Sequence, residues 1–394
     1  MRFSILLFFL IMFMIGTDTF LISPMLPTLQ TEFGVSTGMA GWMLGAYTLG
    51  SAVFALIAGP LSDGWNRKTV LLCGMLGFSV STILCGFADS FWTMCLFRFL
   101  AGVSAAFTAP QVWASIPVVM PPSQISKTMG IAFSGLATAQ AFGVPIGSWL
   151  AAASWSVPFW TIGAASMPLM AFVYFKLPDM KPRAQEKPSI LSRYVPLIKS
   201  GKARSGFFAY LLLHLGSGTA FAFIGKWLAD SFQLPVGHIG TVMMFLGIGT
   251  LLGSVVSSYA TRKLGNVNAV IAGMSFVILL YAVLPRMSSL PVVTVGFLLL
   301  FATLGVVFPT VMEALTALNA AIRGTISSLA NSTMNAANTL GAWIAGAIYA
   351  QYGGYSSIGV FSAACLALSL VVFFYGGVMG NKRTPSREQT ASSS

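Results

Sequence analysis

The sequence predicts an all-α membrane protein of twelve transmembrane helices, arranged as two pseudo-symmetric six-helix bundles. Hydrophobic residues make up 56% of the 394 residues and charged residues only 8%, which is typical of a chain that lies in lipid. Apolar runs of about 20 residues recur, each long enough to cross a hydrocarbon core about 30 Å thick. A basic, proline-rich stretch interrupts this pattern at mid-chain and leaves six apolar runs on either side.

The runs favour helices as the spanning form. Strands of a membrane barrel would alternate apolar and polar residues, and these runs do not alternate. In chain order we predict spans over 4–28, 38–59, 69–87, 91–114, 126–150, 155–176, 204–228, 237–260, 268–286, 290–315, 324–350 and 355–378.

Six spans on each side of the polar stretch predict an internal duplication. At an offset of about 199 residues, Gly143 and Gly147 of the fifth span fall near Gly341 and Gly346 of the eleventh. Weak matches of this kind are what old duplicated halves retain. We therefore predict an N-terminal bundle over 1–177, a partly disordered cytoplasmic linker over 178–203, a C-terminal bundle over 204–380 and a disordered cytoplasmic tail over 381–394.

The net charge of +12 and the pI of about 9.8 reflect membrane topology. If the N-terminus is cytoplasmic, the internal loops and tails hold nearly all lysines and arginines, and the opposite face holds only Lys226 and Arg286. This positive-inside bias predicts a multi-pass protein of the cell inner (cytoplasmic) membrane with both termini in the cytoplasm. The bilayer thus accounts for the basic charge, and we expect no nucleic-acid partner.

The sequence lacks the residues that metal binding, ATP binding or catalysis would require. The chain has two histidines and four cysteines, without metal-ligand spacing, and no Gly-x-x-x-x-Gly-Lys-Ser/Thr loop that would bind ATP. We therefore expect no metal and no cofactor. We also expect the protein to be a monomer. A membrane-embedded enzyme stays a distant alternative because catalytic clusters are missing.

The loop after the second span reads Gly-Pro-Leu-Ser-Asp-Gly-Trp-Asn-Arg-Lys over 59–68. It resembles the hallmark of the major facilitator superfamily, although Gly64 stands where that family has arginine and Asn66 where it has glycine. The resemblance implies two six-helix bundles around a central cavity. It also implies that Asp63 holds the cytoplasmic gate against the positive N-terminal end of the eleventh helix. The gate residues would be Gly59, Asp63, Arg67, Lys68, Glu313 and Arg323.

Asp18 lies deep inside the first span, where a carboxylate costs about 2.5 to 3.5 kcal/mol on insertion scales. Arg98 of the fourth span, with Gly102 and Ala106 on its face, resembles the second motif of the same superfamily. At 1.5 Å per residue Asp18 and Arg98 lie at nearly the same depth, so we expect them to meet, directly or through water. We predict that this pair couples transport to protons. A fixed structural ion pair, or an Arg98 that reaches to the outer interface, is the alternative.

The fifth span carries Gly143-Val-Pro145-Ile-Gly147. This segment resembles the signature of the drug:proton antiporter branch, in the form associated with sugar, purine and arabinose-type efflux proteins. Its glycines permit close helix packing and Pro145 bends the helix, so it would act as a hinge or a leak seal. Packing alone is the alternative, and the direction of transport rests on the resemblance.

Neutral polar side chains within the spans are candidates for the substrate cavity. The asparagines of the eleventh span step by four and three residues and so form one stripe, which either binds substrate or joins helices. His214 is also a candidate for proton coupling. The cavity candidates are Tyr47, Gln111, Gln140, His214, Asn331, Asn335 and Asn338.

These features together predict a proton-coupled exporter, an antiporter of a drug-like compound or a small polar metabolite. Its partners would be a small-molecule substrate, protons and the lipid bilayer. Proton-coupled uptake of a small metabolite is the alternative.

Overall fold

The computed structural model describes residues 2–62, 65–180, 190–319 and 322–377, and every regular element in these ranges is helical. A five-residue π-helical turn, Ala139–Gly143, joins α6 to α7, and a 3-10 turn, Leu284–Arg286, follows α12. The helices are α1 Arg2–Glu32, α2 Thr37–Ala40, α3 Trp42–Ser62, α4 Arg67–Cys85, α5 Phe91–Val119, α6 Pro122–Thr138, α7 Val144–Ala153, α8 Val157–Lys176, α9 Ile190–Lys199, α10 Gly201–Phe232, α11 Val236–Leu264, α12 Asn266–Val283, α13 Leu290–Thr316, α14 Arg323–Tyr352 and α15 Gly354–Tyr375.

Within the described ranges, 11 helical stretches are long and apolar enough to cross a membrane. They correspond to all the predicted spans except 324–350. That span is the 30-residue helix α14, whose serines and asparagines lower its hydropathy below that of the others. The polar stripe that made this helix a candidate for function also makes it the least apolar span.

The predicted linker contains a helix. Residues 181–189 lie outside the described ranges, but Ile190–Lys199 forms α9. Leu197 of this helix is buried, and the Tyr194 hydroxyl donates to the Leu56 carbonyl of α3 at 3.5 Å. An apolar face on an otherwise basic segment therefore docks α9 on the bundle. The predicted tail, 381–394, lies outside the described residues.

The antiparallel helices give the bundle two ends. We call the end with Glu32, Phe232 and Tyr352 the Glu32 end, and the end with Asn66 and Leu264 the Asn66 end. We also call α1–α8 the N-half and α10–α15 the C-half.

Equivalent glycines in the two halves make equivalent contacts. A methyl group added at Gly143 would overlap Thr17 of α1, and one added at Gly341 would overlap Thr219 of α10. The fifth span thus packs on the first as the eleventh packs on the seventh. Because only glycine permits this approach, the weak sequence repeat corresponds to a repeated packing.

The two halves meet at backbone distance at the Glu32 end. Added methyl groups at Gly41 and Gly225 would overlap the carbonyls of Ala342 and Ser23, which belong to the opposite half. The Ser23 hydroxyl also donates to the Phe221 carbonyl at 2.6 Å. These contacts leave no space for a solute between the helices that make them.

Helices α3 and α14 stay in contact through the middle of the bundle toward the Asn66 end. The hydroxyls of Thr48 and Thr339 are 2.8 Å apart. Farther along, Ser332 donates to the Ala52 carbonyl at 2.7 Å. Hydroxyl-to-carbonyl bonds satisfy polar groups that would otherwise face lipid or an apolar interior.

Candidate functional site

The first candidate site is an ion pair between α1 and α5. Arg98 donates from Nη1 to Asp18 Oδ2 at 2.7 Å and from Nη2 to the Asp18 carbonyl at 3.2 Å. Both side chains are 0% exposed. The structure therefore brings together the two charged residues that the sequence placed at one depth, and each lowers the cost of burying the other.

Two polar atoms of this pair have no protein partner. Asp18 Oδ1 and Arg98 Nε are both buried and make no hydrogen bond to any described group. Most buried polar side-chain atoms in proteins are hydrogen-bonded. The ion pair is thus incompletely satisfied: Asp18 Oδ1 can accept a proton or a hydrogen bond, whereas the Arg98 Nε–H group can only donate one.

Tyr47 of α3, a predicted cavity residue, lies against the ion pair. Its ring centroid lies 4.5 Å from Arg98 Cζ, and its hydroxyl accepts a hydrogen bond from Thr19 at 3.0 Å. Gly102, one turn beyond Arg98, lies against the Tyr47 carbonyl, where a methyl group would overlap. Gly102 therefore allows α3 and α5 to approach each other closely beside Arg98.

The fifth-span motif lies between α1 and α11. Gly143 and Gly147 pack on Thr17 and Leu21 of α1, while Pro145 lies beside Gly240 of α11. The π-helical turn ends at Gly143, and such turns are frequent at functional sites. This segment thus contacts the helix of Asp18 on one side and the C-half on the other.

Gln140, one turn before this motif, bridges the halves. Its Oε1 accepts from the Thr250 hydroxyl of α11 at 2.9 Å. Gln111 of α5 is buried within the N-half.

The asparagine stripe of α14 is partly used within its own helix. Asn335 is buried and donates to the carbonyl and the side-chain oxygen of Asn331, at 2.9 and 3.2 Å. Asn338 packs against α10 at Gly218. Asn338 thus touches a neighbouring helix, whereas Asn331 is only half-buried.

His214 of α10 lies among aromatic rings. Its ring centroid is 4.7 Å from that of Phe308 in a stacked arrangement and 4.4 Å from that of Tyr210 in an edge arrangement. The side chain is 6% exposed, and its Nε2 has no hydrogen-bond partner.

The predicted gate is described only in part. Asp63 and the side chain of Arg323 lie outside the described residues, Gly59 lies near the end of α3, and Glu313 is exposed near the end of α13. Arg67 donates to the Ala114 carbonyl at 2.8 Å. Arg67 thus contacts its own half, and Lys68 Nζ lies 3.8 Å from Oδ1 of Asp179, in the segment that follows α8.

Asn66, which differs from the family motif, has a structural role that the sequence analysis missed. Its Oδ1 accepts from the Lys68 and Met180 backbone amides at 3.0 and 3.1 Å, so it caps α4 and holds the segment after α8. An asparagine directly before a helix is a recognisable capping signal. Thr19 and Thr250 were also missed, and no local pattern marks them.

Comparison with known proteins identifies the family. The model described as Major Facilitator Superfamily matches residues 8–205 and again 206–393. Uncharacterized MFS-type transporter YceJ of Bacillus subtilis (strain 168) is 45% identical over 384 residues, 97% of this chain and 98% of that protein. Multidrug resistance protein 1 of the same strain is 29% identical over 168 residues, 42% of this chain and 43% of that protein.

A solved structure shows the same fold. It is a bacterial homolog to the human lysosomal transporter Spinster in an inward-facing and occupied conformation, with a TM-score of 0.77, 16% identity and coverage of 96% of this chain and 97% of that chain. The predicted all-helical membrane fold is thereby confirmed. The chain belongs to the Major Facilitator Superfamily: it is a multi-pass membrane protein and a secondary transporter of a small molecule, and not an enzyme.

Proposed function

We propose that the protein is a proton-coupled exporter that exchanges protons for a drug-like compound or a small polar metabolite across the cytoplasmic membrane. The observation that carries this proposal is the Asp18–Arg98 pair, fully buried at 2.7 Å with one carboxylate oxygen unpaired. A carboxyl group can alternate between charged and neutral forms, whereas a guanidinium stays charged. Asp18 is therefore the member of the pair that can carry a proton.

Protonation of Asp18 would change the contacts between helices. The ionised carboxylate attracts Arg98 strongly in this fully buried site, and the neutral acid does so much less. Asp18 lies on α1, close to where α1 contacts α10. Loss of the attraction to Arg98 would therefore change the position of α1 in the N-half and so its contact with the C-half. The proton would in this way bias the equilibrium between two arrangements of the halves.

The proposed orientation follows from charge. Basic side chains concentrate at the Asn66 end, so that end would be cytoplasmic. The Glu32 end, where backbones of the two halves touch, would then be the closed outer face. Alternating access would move the predicted bundles, 1–177 and 204–380, against each other, and Asp63 would hold the cytoplasmic face closed near Arg323.

Export is the favoured direction on two grounds. The fifth-span motif resembles that of the drug:proton antiporter branch, and its Gly143 and Gly147 pack on α1, the helix that carries Asp18. In addition, a chain segment is similar to Multidrug resistance protein 1. One proton that moves down 100 mV releases about 2.3 kcal/mol, enough for more than tenfold concentration of a neutral substrate.

The test compares cells that overexpress wild-type protein, Asp18→Asn and a control, Asp89→Asn, whose acid is exposed in the loop before α5. A resistance and metabolite screen first identifies compounds that the wild type depletes from cells. We expect the wild type and Asp89→Asn to lower intracellular compound, a protonophore to restore it, and Asp18→Asn to be inactive at equal expression. Active Asp18→Asn would refute proton coupling at this residue. Accumulation that rises with overexpression and collapses with protonophore would instead indicate uptake.

A further inference from the structure

The middle of this bundle offers a substrate no unpaired charged side chain among the described residues. Asp18 and Arg98 are bound to each other and fully buried. The other charged side chains of the described ranges lie in loops or within about two turns of a helix end. A charged solute in the middle of the membrane would therefore lose its hydration without gaining a counter-charge.

The C-half instead presents aromatic rings toward the N-half. On α10, His214, Phe221 and Gly225 are spaced by seven and four residues and share one face. Phe221 and Gly225 both contact α1: the Phe221 ring lies 5.7 Å from that of Phe20, and Gly225 touches the Ser23 carbonyl. His214 continues this face toward the Asn66 end.

Helix α13 extends the aromatic surface beside α10. The Phe301 ring lies 6.1 Å from that of Phe221, and Phe308, seven residues later on the same face, stacks on His214 at 4.7 Å. The rings of α10 and α13 thus form two successive pairs along the inter-half face.

His214 is the polar group of this surface. Only 6% of its surface is exposed, so it is more than nine-tenths buried, and its Nε2 has no hydrogen-bond partner. A buried nitrogen without a partner is costly, and few native groups remain in that condition. A ligand atom that pairs with Nε2 would remove this cost.

We propose that His214 and Phe308 form the substrate subsite, and that it takes an uncharged, planar aromatic molecule with a hydrogen-bonding group directed at His214 Nε2. The inference deepens the proposed transport function by naming its substrate class. Flat rings fit a surface of stacked and edge-on aromatic side chains. A cation would gain attraction from these rings, but among the described residues it would find no free carboxylate in the middle of the bundle, and an anion would find no free guanidinium there.

The test uses three probes that share one ring system and differ in charge: 2-naphthamide, 2-naphthoate and the ammonium form of 2-naphthylmethylamine. Binding to purified protein in detergent at pH 7 is followed by naphthalene fluorescence and checked by calorimetry. We expect 2-naphthamide to bind at least tenfold tighter than either ion. Equal or tighter binding of an ion, or no binding of the amide, would overturn the proposal.

His214→Phe tests the anchoring nitrogen while an aromatic ring is kept at this position. The substitution keeps a ring beside Phe308 and removes the unpaired nitrogen, so thermal stability should stay equal or rise. Affinity for 2-naphthamide should fall about fivefold to tenfold, the loss of one hydrogen bond. A merely structural histidine would give the opposite result, lower stability with unchanged binding.

The matched control is His238→Phe, which changes the other histidine of the chain, an exposed residue at the start of α11. It should bind 2-naphthamide as the wild type does. Equal losses in the two variants would also overturn the proposal. Because binding in detergent needs no proton gradient, these results stand apart from the Asp18→Asn transport test, and either proposal can fail alone.

Discussion

Removal of one partner of the Asp18–Arg98 pair should destabilise the protein far more than removal of both. The two side chains are 0% exposed and 2.7 Å apart, so each single variant leaves a charge buried without compensation. Such losses cost about 3–5 kcal/mol, whereas replacement of both charges is often nearly neutral. We therefore expect Asp18→Asn to cost about 3–5 kcal/mol, and Asp18→Asn/Arg98→Met to lie within about 2 kcal/mol of the wild type.

The two single variants should also differ from each other. In Arg98→Met the lone carboxyl group can become neutral by binding a proton, whereas in Asp18→Asn the lone guanidinium cannot lose its charge. Arg98→Met should thus cost less, and its cost should shrink as the pH falls. The cost of Asp18→Asn should not follow pH in this way.

Stability is measured by denaturant titration in dodecyl maltoside, with tryptophan fluorescence as the signal. Lys226→Met is the control, because the Lys226–Asp230 pair has a similar distance, 2.8 Å, but side chains that are 17% and 40% exposed. It should cost less than about 1 kcal/mol. If the double variant loses the sum of the two single losses, the pair has no coupling energy and the reasoning fails.

Three further substitutions test the packing. Gly225→Ala should cost about 1–3 kcal/mol, because its methyl group meets an α1 carbonyl at the Glu32 end; Gly130→Ala, with open space around it, should not destabilise. Asn66→Ala should cost about 0.5–2 kcal/mol through loss of the α4 cap, measured as thermal stability. Thr250→Val should cost about 1 kcal/mol through loss of its bond to Gln140, and no change would show that this bond does not hold the halves together.

The depth of the charged pair could be predicted from the chain alone. A helix rises by a fixed 1.5 Å per residue, so the positions of Asp18 and Arg98 in their spans set their heights. Height does not set rotation about the helix axis. That Arg98 meets Asp18 across the N-half, under the Tyr47 ring, follows from how α1, α3 and α5 pack.

Rotation also decides contacts that the sequence left open. Tyr47 was predicted for the substrate cavity and stays a candidate there, while its carbonyl lies against Gly102 and its ring lies over Arg98. The asparagines of α14 do share a stripe, yet Asn335 bonds to Asn331 within the helix. A polar stripe shows which face of a helix needs hydrogen-bond partners, but it does not show which residues those partners are.

The sequence by itself determined the helical spans, the shared depth of Asp18 and Arg98 and the glycines of the fifth span, because hydropathy, helix rise and the absence of a side chain are local properties. Tertiary structure decided that Arg67 bonds to the Ala114 carbonyl of α5, that α9 docks on the bundle, and that His214 stacks on Phe308. Those outcomes depend on contacts between residues far apart in the chain. Such contacts are fixed only when helix packing sets which helices are neighbours and how each is rotated about its axis.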